Sequence, residues 1–173
     1  LGSPAVSITT AGFLAFVGLE NGEIVVVDMN TGAILVRRWL GASVVDVVFG
    51  RDRIYALTGS DLHTLFFNGI DLEILSTISS PASSTFPNRR LFVGGGFAYA
   101  THASGYNVFR LDLPDRPALL TAGTSPSRGW RHFVLNGSVE GVAAVGPSPT
   151  LGADSDVSVY DVSNPSVTDS LLT

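Results

Sequence analysis

The chain has 173 residues, enough for one domain with a sizeable core, and is 45% hydrophobic but only 14% charged, with 19 Gly and 9 Pro. A net charge of −5 argues against a nucleic-acid partner, which needs a basic face, and the absence of cysteine excludes disulfides and thiolate chemistry. No apolar run approaches the roughly 20 residues of a membrane-spanning helix, and Leu1-Gly-Ser-Pro lacks the basic and apolar regions of a signal peptide. Because the chain does not begin with Met, it is expected to be a processed product or a piece of something longer.

In chain order, the first patterned stretch is Phe13 to Trp39, FLAFVGLENGEIVVVDMNTGAILVRRW. Three short apolar runs are separated by Glu20-Asn21-Gly22 and Asn30-Thr31-Gly32. Asn-Gly between alternating runs predicts a hairpin with a type I′ turn, whose two central residues need positive φ. The same pattern then returns. Leu14-Ala15-Phe16-Val17 is matched by Ile54-Tyr55-Ala56-Leu57, by Phe97-Ala98-Tyr99-Ala100 and by Gly141 to Val145. The polar residue that ends each third run is Asp28, Asn68, Asp112 and Asp161, at steps of 40, 44 and 49 residues. A further apolar run precedes each copy: Ala5 to Thr9, Val44 to Phe49, Arg90 to Val93 and His132 to Leu135.

Four strands per unit, recurring at about 40 to 45 residues, is the signature of a β-propeller. The predicted fold is all-β, with four-stranded antiparallel blades at about 1–41, 42–81, 82–125 and 126–173. The chain opens on an inner strand and closes on an outer one, with no exchange of strands between its ends. These four blades are therefore expected to be part of a larger propeller. With strands named a to d outward from the axis, Pro81 to Pro87 lengthens a d–a connection and Pro147 to Asp156 a b–c loop. Gly94-Gly95-Gly96 precedes a strand, so it is an a–b turn and not a phosphate cradle. Asn136-Gly137-Ser138 fits a glycosylation sequon but also a hairpin turn.

Two stretches carry a resemblance. The first blade, GEIVVVDMNTGAILVRRW, resembles the repeat of pyrroloquinoline-quinone-type propellers at Asp28, Thr31, Gly32 and Trp39. That resemblance implies a Trp39 packed between blades. Only one copy carries it, so no bound quinone or other cofactor is implied. The last blade, VSVYDVSNPSVTDSLL, is similar to the bacterial LVIVD-type repeat at Asp161, Ser163, Asn164 and Pro165. An Asp or Asn side chain caps backbone N–H groups two residues on, so the Asp28, Asn68, Asp112 and Asp161 series is assigned to turn structure.

In propellers the d–a and b–c loops open on one face, the usual binding face. His63, His102 and His132 fall in or beside these loops, with Asp46, Asp61 and Glu20 near. An acid–base or metal site is one reading and a wet strand end the other; no H-x-x-x-H or H-x-H spacing supports a metal. Arg89, Arg90, Arg128, Trp130 and Arg131 cluster in two d–a connections and the strands they lead into. Guanidinium forks and an aromatic face suit carboxylates or sugars; ordinary surface arginines with one packing Trp is the alternative. Asp154 and Asp156 are weak calcium candidates, short of the ligands that a calcium loop needs.

The leading functional expectation is a non-catalytic binding or scaffold module offering these loops to a protein or glycan, alongside other blades of the same propeller. A propeller-type hydrolase, lyase or quinoprotein oxidoreductase with its site at the axis is the alternative, and a spacer in a large surface or periplasmic protein is the third. An extracytoplasmic, bacterial setting is the accompanying expectation. The scarcity of ionisable groups on the inner strands, Asp46 and the Arg131-His132 pair, favours binding.

Overall fold

The computed structural model describes residues 1–81, 89–102, 105–123, 130–135, 140–145, 156–164 and 169–172. Every regular element among them is a strand. The first sheet is β1 (Ala5–Ala11), β2 (Leu14–Leu19), β3 (Glu23–Asp28) and β4 (Ile34–Trp39); the second is β5 (Val44–Gly50), β6 (Arg53–Thr58), β7 (Asp61–Phe67) and β8 (Leu72–Ser79). The third is β9 (Leu91–Gly94), β10 (Phe97–His102), β11 (Gly105–Arg110) and β12 (Ala118–Gly123); the fourth is β13 (Trp130–Leu135), β14 (Glu140–Val145), β15 (Asp156–Asp161) and β16 (Asp169–Leu172). All four are antiparallel meanders, the blades of a β-propeller.

The turns obey local chemistry. Asp28 Oδ1 accepts from the N–H groups of Asn30 (2.8 Å) and Thr31 (3.2 Å), and Asn68 Oδ1 from those of Ile70 (2.9 Å) and Asp71 (2.8 Å). Asp161 Oδ1 accepts from Ser163 N–H at 2.8 Å, and hydrogen bonding from the Ser163 side chain, joined by this backbone bond, lowers the Asp161 pKa from its ordinary value. One turn departs from the sequence reading. The hairpin at Asn21-Gly22 forms, but only Gly22 has positive φ, 92°. Asn21 instead holds the turn through its amide, which accepts from Glu23 N–H (3.2 Å) and donates to the Glu23 carboxylate (2.9 Å). A turn with two positive φ angles occurs at Arg51 (51°) and Asp52 (58°).

Each outer strand carries a bulge at a leucine. Pairing skips Leu35, Leu75, Leu120 and Leu171. Inner strands carry one near their start, at Val6, Val45 and Arg131. A bulge adds an unpaired residue and local twist.

The chain divides into two compact units. One comprises Leu1–Ser80 and Leu111–Pro117, with a core between its two sheets that includes Phe16, Ile24, Val26, Val47, Ile54 and Leu65. Gly18 permits close approach of those sheets, since a Cβ there would stand 2.5 Å from Val44 Cγ1 and 2.8 Å from Val47 Cγ2. Segment 111–117 docks on the second sheet: Arg53 pairs with Asp115, and Tyr55 OH donates to Pro114 O at 3.4 Å. The other unit, Pro81–Arg110 with Ala118–Thr173, has an aromatic core of Tyr99, Tyr106, Phe133 and Tyr160 around Val108. Tyr99 and Phe133 meet edge to face at 5.1 Å.

Candidate functional site

One polar residue on each inner strand holds a comparable place in the register. Ser7 lies opposite Gly18, Asp46 opposite Leu57 and His132 opposite Ala144, each directly after a bulge. Arg90 exchanges hydrogen bonds with Thr101 one step beyond β9, at the matching place. In the first unit this level is closed. Ser7 Oγ donates to Asp46 Oδ1 at 2.6 Å and accepts from Val47 N–H at 3.1 Å, and Thr9 Oγ1 accepts from Phe49 N–H at 3.0 Å. Asp46 also accepts from Val47 N–H at 3.0 Å and is only 5% exposed. Two hydroxyls of β1 thus satisfy the edge of β5, which an unpaired inner strand would otherwise expose.

The residues singled out in the sequence separate into two groups. His63 is buried on β7, with Nδ1 3.0 Å from Thr77 Oγ1. Ala56, opposite it, and Leu65, two residues on, belong to the shared core, so His63 stands on the face that packs against the first sheet. Burial pushes its pKa down, opposed by the Asp61 carboxylate. Arg89 is 4% exposed and its Nε donates to Thr101 O at 3.0 Å. Arg90 and His132 are exposed. His102 ends β10 beside Thr101, Trp130 opens β13 opposite Val145, Arg131 is the bulge and Asp156 opens β15; of these four only the strand positions are described. Arg128 and Asp154 lie outside the described residues. Among the described residues no group of three or more His, Asp or Glu could hold a metal.

The d–a and b–c loops of the first unit gather at one end. Ser43 Oγ bonds to Glu20 O, Leu40 N–H to Gly22 O (2.9 Å), Asn21 N–H to Ser3 Oγ (3.2 Å) and Ser80 N–H to Ser60 O (2.7 Å). Trp39 stands among them, 65% exposed, with its Nε1 over Gly22. The inter-blade packing implied for Trp39 by the repeat resemblance is not formed between the two sheets of the first unit. At the opposite end the a–b and c–d turn tips expose Phe13 (71%), Met29 (48%) and Ile70 (87%).

A cavity of about 280 Å³ lies between β9 and β13, lined by Phe92, Val93, Tyr99, Phe133, Val134 and Leu135 beside Gly94 and Gly95. Phe92 occupies the level held by Thr9 in the first sheet. The His132 ring stands edge-on to Phe92, centroids 6.1 Å apart. Neither this level nor this cavity was read from the sequence. The signal present was Ser7, Asp46, Arg90 and His132, polar residues in or beside the inner strands.

No protein-family model and no curated protein sequence matches the chain. Solved structures do. The computationally designed Ika4 protein aligns with a TM-score of 0.65 at 14% identity, over 94% of this chain and 93% of Ika4. A candidate 6-phosphogluconolactonase from Bacteroides uniformis aligns at 0.75 and 15% identity, over 96% of this chain and 53% of that protein. BamB from Moraxella catarrhalis aligns at 0.59 and 15% identity, over 94% and 50%. The chain thus spans about half the length of the two natural proteins. At these identities the likeness establishes the propeller fold alone.

Proposed function

We propose that residues 1–173 are a non-catalytic binding or scaffold module, a section of a larger propeller with blades at about 1–41, 42–81, 82–125 and 126–173. It offers its d–a and b–c loops to a protein or glycan partner in an extracytoplasmic setting. The kinship of its first and last blades with the quinone-type and LVIVD-type repeats belongs to the same proposal. The observation that carries this reading is Trp39, a large aromatic held 65% exposed where the loops of the first unit converge. Exposed Trp is the residue type most enriched among binding hot spots, and its flat face also suits a sugar ring. Three of the ionisable candidates are tied into the fold: Asp46 by Ser7 and Val47 N–H, His63 by Thr77 and Arg89 by Thr101.

The test combines a glycan array with photo-crosslinking. A photoreactive residue is placed at Ser43 or Ser60, and in separate proteins at Asp52 or Ile70. Partner capture from the first pair, and its loss in Trp39→Ala, is the expected result. Capture only from Asp52 or Ile70, or binding indifferent to Trp39→Ala, refutes the assignment.

A further inference from the structure

The chain holds three Asn-Gly pairs, at Asn21, Asn68 and Asn136, and the first two are among the described residues. In such a pair the side-chain amide is open to attack by the following backbone nitrogen, because glycine places no Cβ in the way. The two described pairs treat that nitrogen differently. Gly22 N–H donates to Leu19 O at 3.1 Å, and a Cβ at Gly22 would stand 2.7 Å from Ala42 O, so this glycine is pinned. Gly69 N–H has no acceptor among the described residues, and a Cβ there would meet nothing within 4 Å. Asn68, Gly69 and Ile70 are all exposed. The carbonyl under attack is set as well. Asn68 Oδ1 accepts from Ile70 N–H at 2.9 Å and from Asp71 N–H at 2.8 Å, whereas Asn21 Oδ1 accepts only from Glu23 N–H, at 3.2 Å. Asn68 Nδ2 donates to Glu73 Oε1 at 2.5 Å, which keeps the amide turned this way. Attack on Cγ drives charge onto Oδ1, and two backbone donors on that oxygen act as an oxyanion hole.

We propose that Asn68-Gly69 is a self-modification site, at which the chain's own backbone nitrogen converts asparagine to aspartate and isoaspartate with water as co-reactant. Gly69 N bonds to Asn68 Cγ and gives its proton to solvent. The Cγ–Nδ2 bond breaks, and the nitrogen takes a proton from solvent and leaves as ammonia. Water then opens the cyclic imide. Opening at Cγ leaves aspartate at position 68, the residue type that Asp28 and Asp161 hold at this place in their own blades. Opening at the main-chain carbonyl leaves isoaspartate, which routes the backbone through the former side chain and removes the acceptor that fixes Ile70 and Asp71. Asp71 is the residue whose carboxylate holds Arg38 of the first sheet, at 2.8 and 2.7 Å. Isoaspartate at position 68 therefore loosens the clamp between the two sheets of the first unit. The site lies at the end of that unit opposite Trp39 and is independent of the binding reading, so either proposal can fail alone.

The experiment ages the intact chain at mildly alkaline pH, folded and in guanidinium chloride, and follows Asn21 and Asn68 by peptide mapping. Mass spectrometry with electron-transfer fragmentation separates isoaspartate from aspartate. In the folded chain Asn68 is expected to convert about tenfold faster than Asn21, the worth of the one hydrogen bond that Gly22 N–H must break. In guanidinium chloride the two are expected to convert alike, since both precede glycine. Folded Asn68 is expected to convert at least as fast as unfolded Asn68, and isoaspartate alongside aspartate marks the imide route. Asn21 keeping pace with Asn68 in the folded chain, Asn68 converting more slowly folded than unfolded, or aspartate without isoaspartate overturns the proposal. Circular dichroism melts read the consequence. The Tm of the aged chain is expected to fall with its isoaspartate content, while Asn68→Asp aged over the same interval keeps its own. An unchanged Tm with isoaspartate present overturns the loosening of the clamp.

Discussion

Removing the Ser7 hydroxyl tests whether Asp46 is a structural group. In Ser7→Ala the Asp46 carboxylate, 5% exposed, loses a donor at 2.6 Å but keeps Val47 N–H at 3.0 Å. A hydrogen bond to a charged group contributes about 1.5–3 kcal/mol, so Ser7→Ala is expected to cost about 2 kcal/mol. At roughly 2–4 °C per kcal/mol for a chain of this size, the Tm falls by about 4–8 °C. Asp46→Asn keeps the shape but turns a charge-assisted bond into a neutral one of about half the strength, a loss of about 1 kcal/mol. Because both changes act on one bond, the double variant is expected to lose about 1 kcal/mol less than the sum. Urea denaturation of the four proteins at neutral pH measures this coupling. Additivity within about 0.3–0.5 kcal/mol refutes the idea that Ser7 holds Asp46, and reopens Asp46 as a functional carboxylate.

Three further outcomes follow from the first unit. Gly18→Ala forces a Cβ to within 2.5 Å of Val44 Cγ1, and overpacking of this kind is expected to cost about 1–3 kcal/mol in denaturant titration, relieved in part by Val44→Ala. His63 has its folded-state pKa pushed below 6.5 by burial, so its neutral form is favoured on folding. Its contribution is complete above about pH 6.5 and is lost as the pH falls through the lowered folded value; thermal melts should show a drop in this acid window that is smaller in His63→Gln. Asn68→Ala removes the acceptor for two turn N–H groups and is expected to lower stability by about 1 kcal/mol, with Asn68→Asp close to neutral by the same unfolding measurement.

The repeat was legible in the sequence because turn chemistry restricts residue type. Only a short side chain with an acceptor makes the bonds that Asp28, Asn68 and Asp161 make, so the series survives at uneven steps. Asn21 shows the limit of the same logic. Asn-Gly is compatible with a type I′ turn and with a side-chain-held turn, and here the amide of Asn21 bonding to Glu23 selects the second. Trp39 and Arg89 show another. Whether a large side chain is buried depends on residues distant in the chain: Thr101 O lies within reach of Arg89, while Gly22 lies under Trp39 and leaves it 65% exposed.

The leucine bulges bear on how such a chain remains separate from its neighbours in a crowded solution. The outermost strand of every blade has one side unpaired, and a straight unpaired strand is a template on which a second chain can add its own. At Leu35, Leu75, Leu120 and Leu171 the row of donors and acceptors is broken and turned in mid-strand. An incoming strand can align with the residues before the break or after it, but not with both. Multiplying the blade therefore multiplies exposed edges without multiplying sites for fibre growth, and a leucine inside each outer strand is the residue to leave unchanged when the repeat is copied.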